Sequence, residues 1–100
     1  MIYTENTAFE WDPVKNVINF NKHGILFEEA VLVFYDVNCL SEEDLKHSQI
    51  EDREYVLGEI ATGLIYVTYT IRLAPVRNRI ISARKATKNE RKEYEKRKRI

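Results

Sequence analysis

Leu64-Ile-Tyr-Val-Thr-Tyr-Thr-Ile-Arg-Leu73 decides the fold. Its β-branched and aromatic side chains, with no Gly or Pro among them, predict a long strand. A period of two places Ile65, Val67, Tyr69 and Ile71 on one face, and Tyr66, Thr68, Thr70 and Arg72 on the other. Working outward, Thr62-Gly63 is a turn signal that joins this strand to a second over Arg53–Ile60. Ala74-Pro75 ends it, and Arg77–Arg84 reads as the strand that returns. Asn38–Asp44 is a weaker strand or loop with an acidic tip, Glu42-Glu43-Asp44. The middle of the chain therefore predicts an antiparallel meander of about four strands.

Upstream the period changes. Phe9-Glu-Trp11 is a short strand or extended entry, with Trp11 as a core or staple residue. Asp12-Pro13 then has the form of an N-cap followed by proline at the first helical position. Val14, Val17, Ile18 and Asn21 follow at helical spacing, with Phe20 as a further apolar contact. Lys22-His23-Gly24 closes the helix with two basic groups and a left-handed C-terminal glycine. A second helix is expected over Phe27–Phe34, with Phe27, Ala30, Val31 and Phe34 on one face and Glu28 and Glu29 complementing its dipole. Downstream, Thr87 and Glu90 have capping-box spacing and open a basic helix over roughly 87–100. Tyr94 is its one large apolar residue before Ile100, which predicts weak docking or docking onto a partner. The order of elements predicts a single α+β domain over residues 1–100: two N-terminal helices, the meander, and a C-terminal helix.

Composition narrows the class. One hundred residues with 44% hydrophobic and 32% charged side chains can bury one core. A single cysteine, Cys39, excludes an internal disulfide and fits a reducing compartment. No apolar run approaches a membrane span. Met1–Asp12 has neither the basic start nor the apolar core of a secretory leader, so a cytoplasmic location is expected. The net charge of zero conceals a sharp division. Arg72–Ile100 holds 12 Lys/Arg against 3 Glu, whereas residues 1–71 hold 4 against 13 Asp/Glu. Such a basic third suits a phosphate backbone or an acidic protein.

Gly-rich phosphate loops, metal-ligand spacings and nucleophile elbows are all missing from the sequence. The remaining candidates for chemistry are arginines on strands, two histidines and some carboxylates. Arg72 ends the row Tyr66-Thr68-Thr70, whose aromatic, hydroxyl and guanidinium groups suit a nucleotide. In a regular strand Arg79 and Arg84, five residues apart, point to opposite faces and cannot serve one site without a bulge. Arg84, at the strand end beside Lys85, is then favoured as the catalytic one. The segment His47-Ser-Gln-Ile-Glu51-Asp-Arg53 could supply a general base and an anion clamp. His23 is explained by its position as a helix C-terminal residue.

These residues, taken in order, resemble the BrnT family of ribonuclease toxins from bacterial toxin–antitoxin pairs. The matching stretches are Phe9-Glu-Trp-Asp-Pro13 with Lys15, Asn19 and Lys22-His-Gly24, and Phe27-Glu-Glu-Ala30 with Val33-Phe34. They continue with His47-Ser48, Glu51-Asp-Arg53, Gly58, Thr70 with Arg72, Arg79-Ile-Ile-Ser-Ala-Arg84-Lys-Ala86, Glu90-Arg91 and Tyr94. The chain departs from the family pattern at Ile71, at Leu73-Ala74-Pro75 and at Asp36-Val37.

The resemblance implies a RelE-like fold and an endoribonuclease that needs no metal or other cofactor. It also implies a cognate, DNA-binding antitoxin of ribbon-helix-helix type, which holds the toxin inactive and carries it to operator DNA. Carried across, the polar positions are His47, Glu51, Arg53, Arg72, Arg79 and Arg84. The expected reaction is attack of a 2′-hydroxyl on its own phosphate, with Glu51 or His47 as base and Arg72, Arg84 and Arg53 stabilising the phosphorane. Arg79, Lys85, Lys22 and His23 are expected RNA contacts. The competing class is a non-catalytic module that grips nucleic acid or protein and acts as a co-repressor.

Overall fold

The computed structural model describes residues 2–3, 8–43, 53–73 and 76–98. Its elements are β1 (Ile2–Tyr3), β2 (Phe9–Trp11), α1 (Pro13–His23), α2 (Phe27–Val33), β3 (Leu40–Glu43), β4 (Glu54–Ile60), β5 (Gly63–Leu73), β6 (Val76–Lys85) and α3 (Lys88–Lys98). The expected antiparallel meander is β3–β4–β5–β6. The sheet is nevertheless six-stranded and mixed, in the order β1-β2-β6-β5-β4-β3. β2 lies parallel to β6, pairing Glu10 with Arg79. A three-residue strand that pairs with a segment far along the chain leaves no local period to read, so the meander alone was an incomplete account of the sheet.

Each helix starts and stops for a local reason. The Asp12 carboxylate accepts from the Val14 N–H at 2.8 Å, and Pro13 occupies the first turn, where its missing N–H costs nothing. Gly24 at φ 73° ends α1, its N–H donating to the Phe20 carbonyl. Glu29 reaches back to the Leu26 N–H to open α2, and Thr87 and Glu90 exchange hydrogen bonds as a capping box for α3.

The main core lies between the α1–α2 pair and one face of the sheet. Phe27, Ala30 and Val33 of α2 are fully buried against Ile65 and Val67 of β5. Trp11 stacks edge-on against Phe27, and Phe34 bridges Phe9 and Tyr69 with ring centroids 4.8 Å from each. The other face carries a smaller cluster in which Tyr94 of α3 is buried on Leu57 and Leu64. α3 is thus docked by its single large apolar residue, where the sequence predicted weak docking. The Tyr94 hydroxyl also donates to the Asp36 carboxylate at 2.5 Å. Asp36 accepts from the Glu59 N–H as well, at a stretch of β4 beyond its pairing with β3. One carboxylate thereby ties the end of α2, an open strand edge and α3.

α1 departs most from its expected role. It buries Asn16 and Asn19 and turns Val14, Val17 and Ile18 outward, with exposures of 64%, 59% and 57%. Asn19 donates to the Ile25 and Ala83 carbonyls and accepts from the Ala83 N–H, all within 3.1 Å. It thereby satisfies β6 along the edge that β2 leaves uncovered. Asn16 accepts from the Phe27 N–H and donates to Glu28, which fixes α2 to α1. The helix is fastened by hydrogen bonds on its inner side, so its apolar spacing marks the outer one.

Gly58 is required by close approach. A Cβ there would lie 2.8 Å from Val33 Cγ1 and 2.9 Å from the Val33 carbonyl oxygen, and helix backbone cannot yield. Gly58→Ala should destabilise the fold by about 2 kcal/mol, within the usual cost of overpacking, read as a lower urea midpoint at unchanged m-value.

Candidate active site

The register between β5 and β6 shifts between Thr68 and Tyr69, which pair with Ser82 and Ile80. Ile81 is the extra residue of a β-bulge. The expectation that Arg79 and Arg84 point to opposite faces fails for this reason. Arg84 pairs with Tyr66, Arg79 with Thr70 and Arg77 with Arg72, so all three β6 arginines share the face of Tyr66, Thr68, Thr70 and Arg72. Glu10, paired with Arg79 from the other side, faces the same way. Glu54 pairs with Tyr69, and continuing that register by one residue sets Arg53 opposite Thr70. Arg72, Arg77 and Arg79 are therefore neighbours of Thr70 on this face, and Arg53 enters β4 next to it in register.

Within this group the arginines are held differently. Arg79 Nε donates to Glu10 Oε2 at 2.7 Å, and the Glu10 carboxylate is almost wholly buried. This bond fixes the guanidinium plane. It leaves both terminal nitrogens of Arg79 without a partner among the described residues, in the fork geometry that accepts a phosphate. Arg72 is exposed at the end of β5 and makes no side-chain bond among the described residues. It is a diagonal neighbour of Arg79, a spacing of about 7–8 Å between Cα atoms. Thr68 and Thr70 are buried, so the polar row predicted on β5 is shielded along its middle.

Arg84, expected as a catalytic residue, is held differently from Arg79. Its two terminal nitrogens grip Glu90 at 2.8 and 2.9 Å, and its guanidinium lies 4.2 Å above the Tyr66 ring, which itself packs on Tyr55. Tyr66, its strand partner, lies six positions from Arg72, a distance of about 20 Å along the sheet. Arg72 and Arg84 therefore do not converge on one phosphate. Arg84 instead clamps the start of α3. Partial burial would raise the Glu90 carboxyl, but the Arg84 fork and the Thr87 N–H outweigh it and hold that carboxyl below its ordinary value. Burial acts on Asp36 likewise and is outweighed by its bonds from Glu59, Tyr94 and Asn38. Carboxyls held low in the folded state contribute stability above their ordinary values, 4.5 and 3.8, and lose it as pH falls through the folded ones. Thermal stability should therefore drop as pH is lowered below about 4.5, and less steeply in Glu90→Gln, a contrast that melting curves across that range will show.

The other expected site residues are dispersed. Lys85 pairs with Ile65 on the helix-covered face, and its ammonium donates to the Thr62 carbonyl at 3.3 Å. Lys22 and His23 end α1, which packs on that same face, away from the arginines. His47 and Glu51 lie outside the described residues. Sequence reasoning missed Glu10 and Arg77. The signal for Glu10 was present, since a carboxylate between the inward Phe9 and Trp11 must emerge on the opposite face of the sheet. Along the exposed side of α3, Lys88, Arg91, Lys92 and Lys96 line a shallow cleft of about 510 Å³ together with Glu95. No helix of the described residues is long and apolar enough to cross a membrane.

The fold is that of a small α+β protein with arginines gathered on one sheet face, one of them oriented by a buried carboxylate. A family model described as ribonuclease toxin, BrnT, of type II toxin–antitoxin system matches residues 11–90. The chain belongs to this family, whose members are ribonuclease toxins. A cognate antitoxin and an RNA substrate follow from that membership. No curated protein matches the chain.

Proposed function

We propose that the chain is an endoribonuclease toxin that binds the scissile phosphate between Arg79 and Arg72 on a RelE-like sheet. The observation that carries this reading is the bulge at Ile81, which turns Arg79 onto the face of Arg72, with Glu10 orienting it and no described residue occupying its terminal nitrogens. In the proposed reaction the 2′-oxygen attacks the adjacent phosphorus and gives up its proton to a base. The bond from phosphorus to the 5′-oxygen then breaks, and that oxygen gains a proton. The products are a 2′,3′-cyclic phosphate and a 5′-hydroxyl. Arg79 and Arg72, with Arg53 beside Thr70, would stabilise the charge that grows on the phosphorane. The base is Glu51 or His47; Glu51 lies two residues before Arg53 in the sequence. The basic outer side of α3 would hold the flanking RNA backbone.

A cognate antitoxin of ribbon-helix-helix type would neutralise the toxin and bring it to operator DNA in the cytoplasm. The test is a ribonuclease assay on protein freed of antitoxin, with and without chelator. Cleavage that persists in chelator is expected. RNA left intact across several unrelated substrates would overturn the enzymatic reading in favour of a co-repressor that only binds.

A further inference from the structure

α1 presents an apolar ridge to solvent that the fold itself does not use. Val14, Val17 and Ile18 stand at i, i+3 and i+4 on the side opposite Asn16 and Asn19, and each is more than half exposed. Isolated exposed apolar residues are ordinary, but three in register on a helix that buries its asparagines form a surface built for contact. The helix Pro13–His23 contains no Asp or Glu, whereas Lys15 and Lys22, seven residues apart and both exposed, flank the ridge on one side.

We propose that this ridge is the docking surface for the cognate antitoxin, through an apolar segment that carries carboxylates opposite Lys15 and Lys22. The proposal rests on the family membership that implies such a partner. Charge decides the choice of occupant. Two copies of α1 packed ridge to ridge would bring lysines together with no carboxylate on either helix to meet them, which disfavours self-association. An acidic segment satisfies the apolar ridge and its flank at once. The position also suits inhibition. Asn19 fastens α1 along the edge of β6, and β6 carries Arg79 on its other face. A partner anchored on α1 would round the sheet at Ala83, where β6 is not covered by β2, four residues along the strand from Arg79.

The test uses the toxin with its cognate antitoxin. Val17→Glu and Ile18→Glu, singly and together, replace exposed residues remote from the arginines, so the fold and ribonuclease activity should be retained. The double variant should bind antitoxin at least roughly 30-fold more weakly, as loss of an interface anchor does, and should escape neutralisation. Lys15→Glu should weaken binding in a salt-dependent way. Wild-type affinity in the double variant would overturn the proposal. So would a toxin that is dimeric alone and made monomeric by Ile18→Glu, since the ridge would then be a self-interface. If the purified toxin cleaves no RNA yet the double variant still loses antitoxin, the docking surface stands and the enzymatic reading falls.

Discussion

Arg79→Ala should reduce the rate of RNA cleavage by roughly 10²–10³, the usual cost of removing one preorganised donor from a site where negative charge develops. The size follows from how Arg79 is held. Its Nε is tied to a buried carboxylate, so the guanidinium is already oriented when the phosphate arrives and little freedom is lost on binding. Arg72→Ala should act on the same step by a smaller factor, because Arg72 is exposed and nothing among the described residues orients it. The two effects should be less than additive if both contact one phosphate. Arg84→Ala should behave differently. Losing the clamp on Glu90 and the stacking on Tyr66 should lower the melting temperature, with the rate of the surviving folded protein little changed. Single-turnover rates measured beside melting curves separate these patterns. A rate loss larger for Arg84 than for Arg79, at unchanged stability, would return the site to the far end of β6.

Asn19→Ala should be the most damaging substitution in α1, at about 3 kcal/mol or more. It removes three hydrogen bonds from a buried side chain and leaves the Ala83 N–H, the Ala83 carbonyl and the Ile25 carbonyl without their partner. Unsatisfied buried groups cost about 1–3 kcal/mol each. Val17→Ala, a few residues away on the same helix, should change stability by less than about 0.5 kcal/mol because its side chain is exposed. This contrast inverts the usual rule that a helix is held by its apolar residues. Urea unfolding of the two variants reads it directly. If Val17→Ala proved the costlier, α1 would have to pack by its apolar side.

Much of the fold was legible because neighbours in sequence are neighbours in the meander. The alternation along Leu64–Leu73, the Thr62-Gly63 turn and the Pro75 break placed β4, β5 and β6, and the Asp12-Pro13 and Lys22-His23-Gly24 signals bounded α1 closely. What stayed hidden depends on long-range pairing. The parallel seat of β2 on β6 joins residues some seventy positions apart, and nothing local announces it. The bulge at Ile81 decides which arginines share a face, yet Arg79-Ile-Ile-Ser-Ala-Arg84 reads as a regular strand. Periodicity found the apolar stripe of α1 but could not say which way it faces, because the opposing stripe is made of asparagines that become structural only when β6 lies beneath them. Membership of the family was legible from motifs in order, whereas the partners of individual arginines were not.

The chemical nature of the RNA ends tests the central claim most directly. Protein freed of antitoxin, incubated with RNA in chelator, should leave a 2′,3′-cyclic phosphate on the upstream fragment and a 5′-hydroxyl on the downstream one, with Arg79→Ala producing the same ends far more slowly. Fragments ending in a 3′-hydroxyl and a 5′-phosphate, formed only when divalent metal is present, would contradict a mechanism in which arginines on the sheet face stabilise attack by the 2′-oxygen.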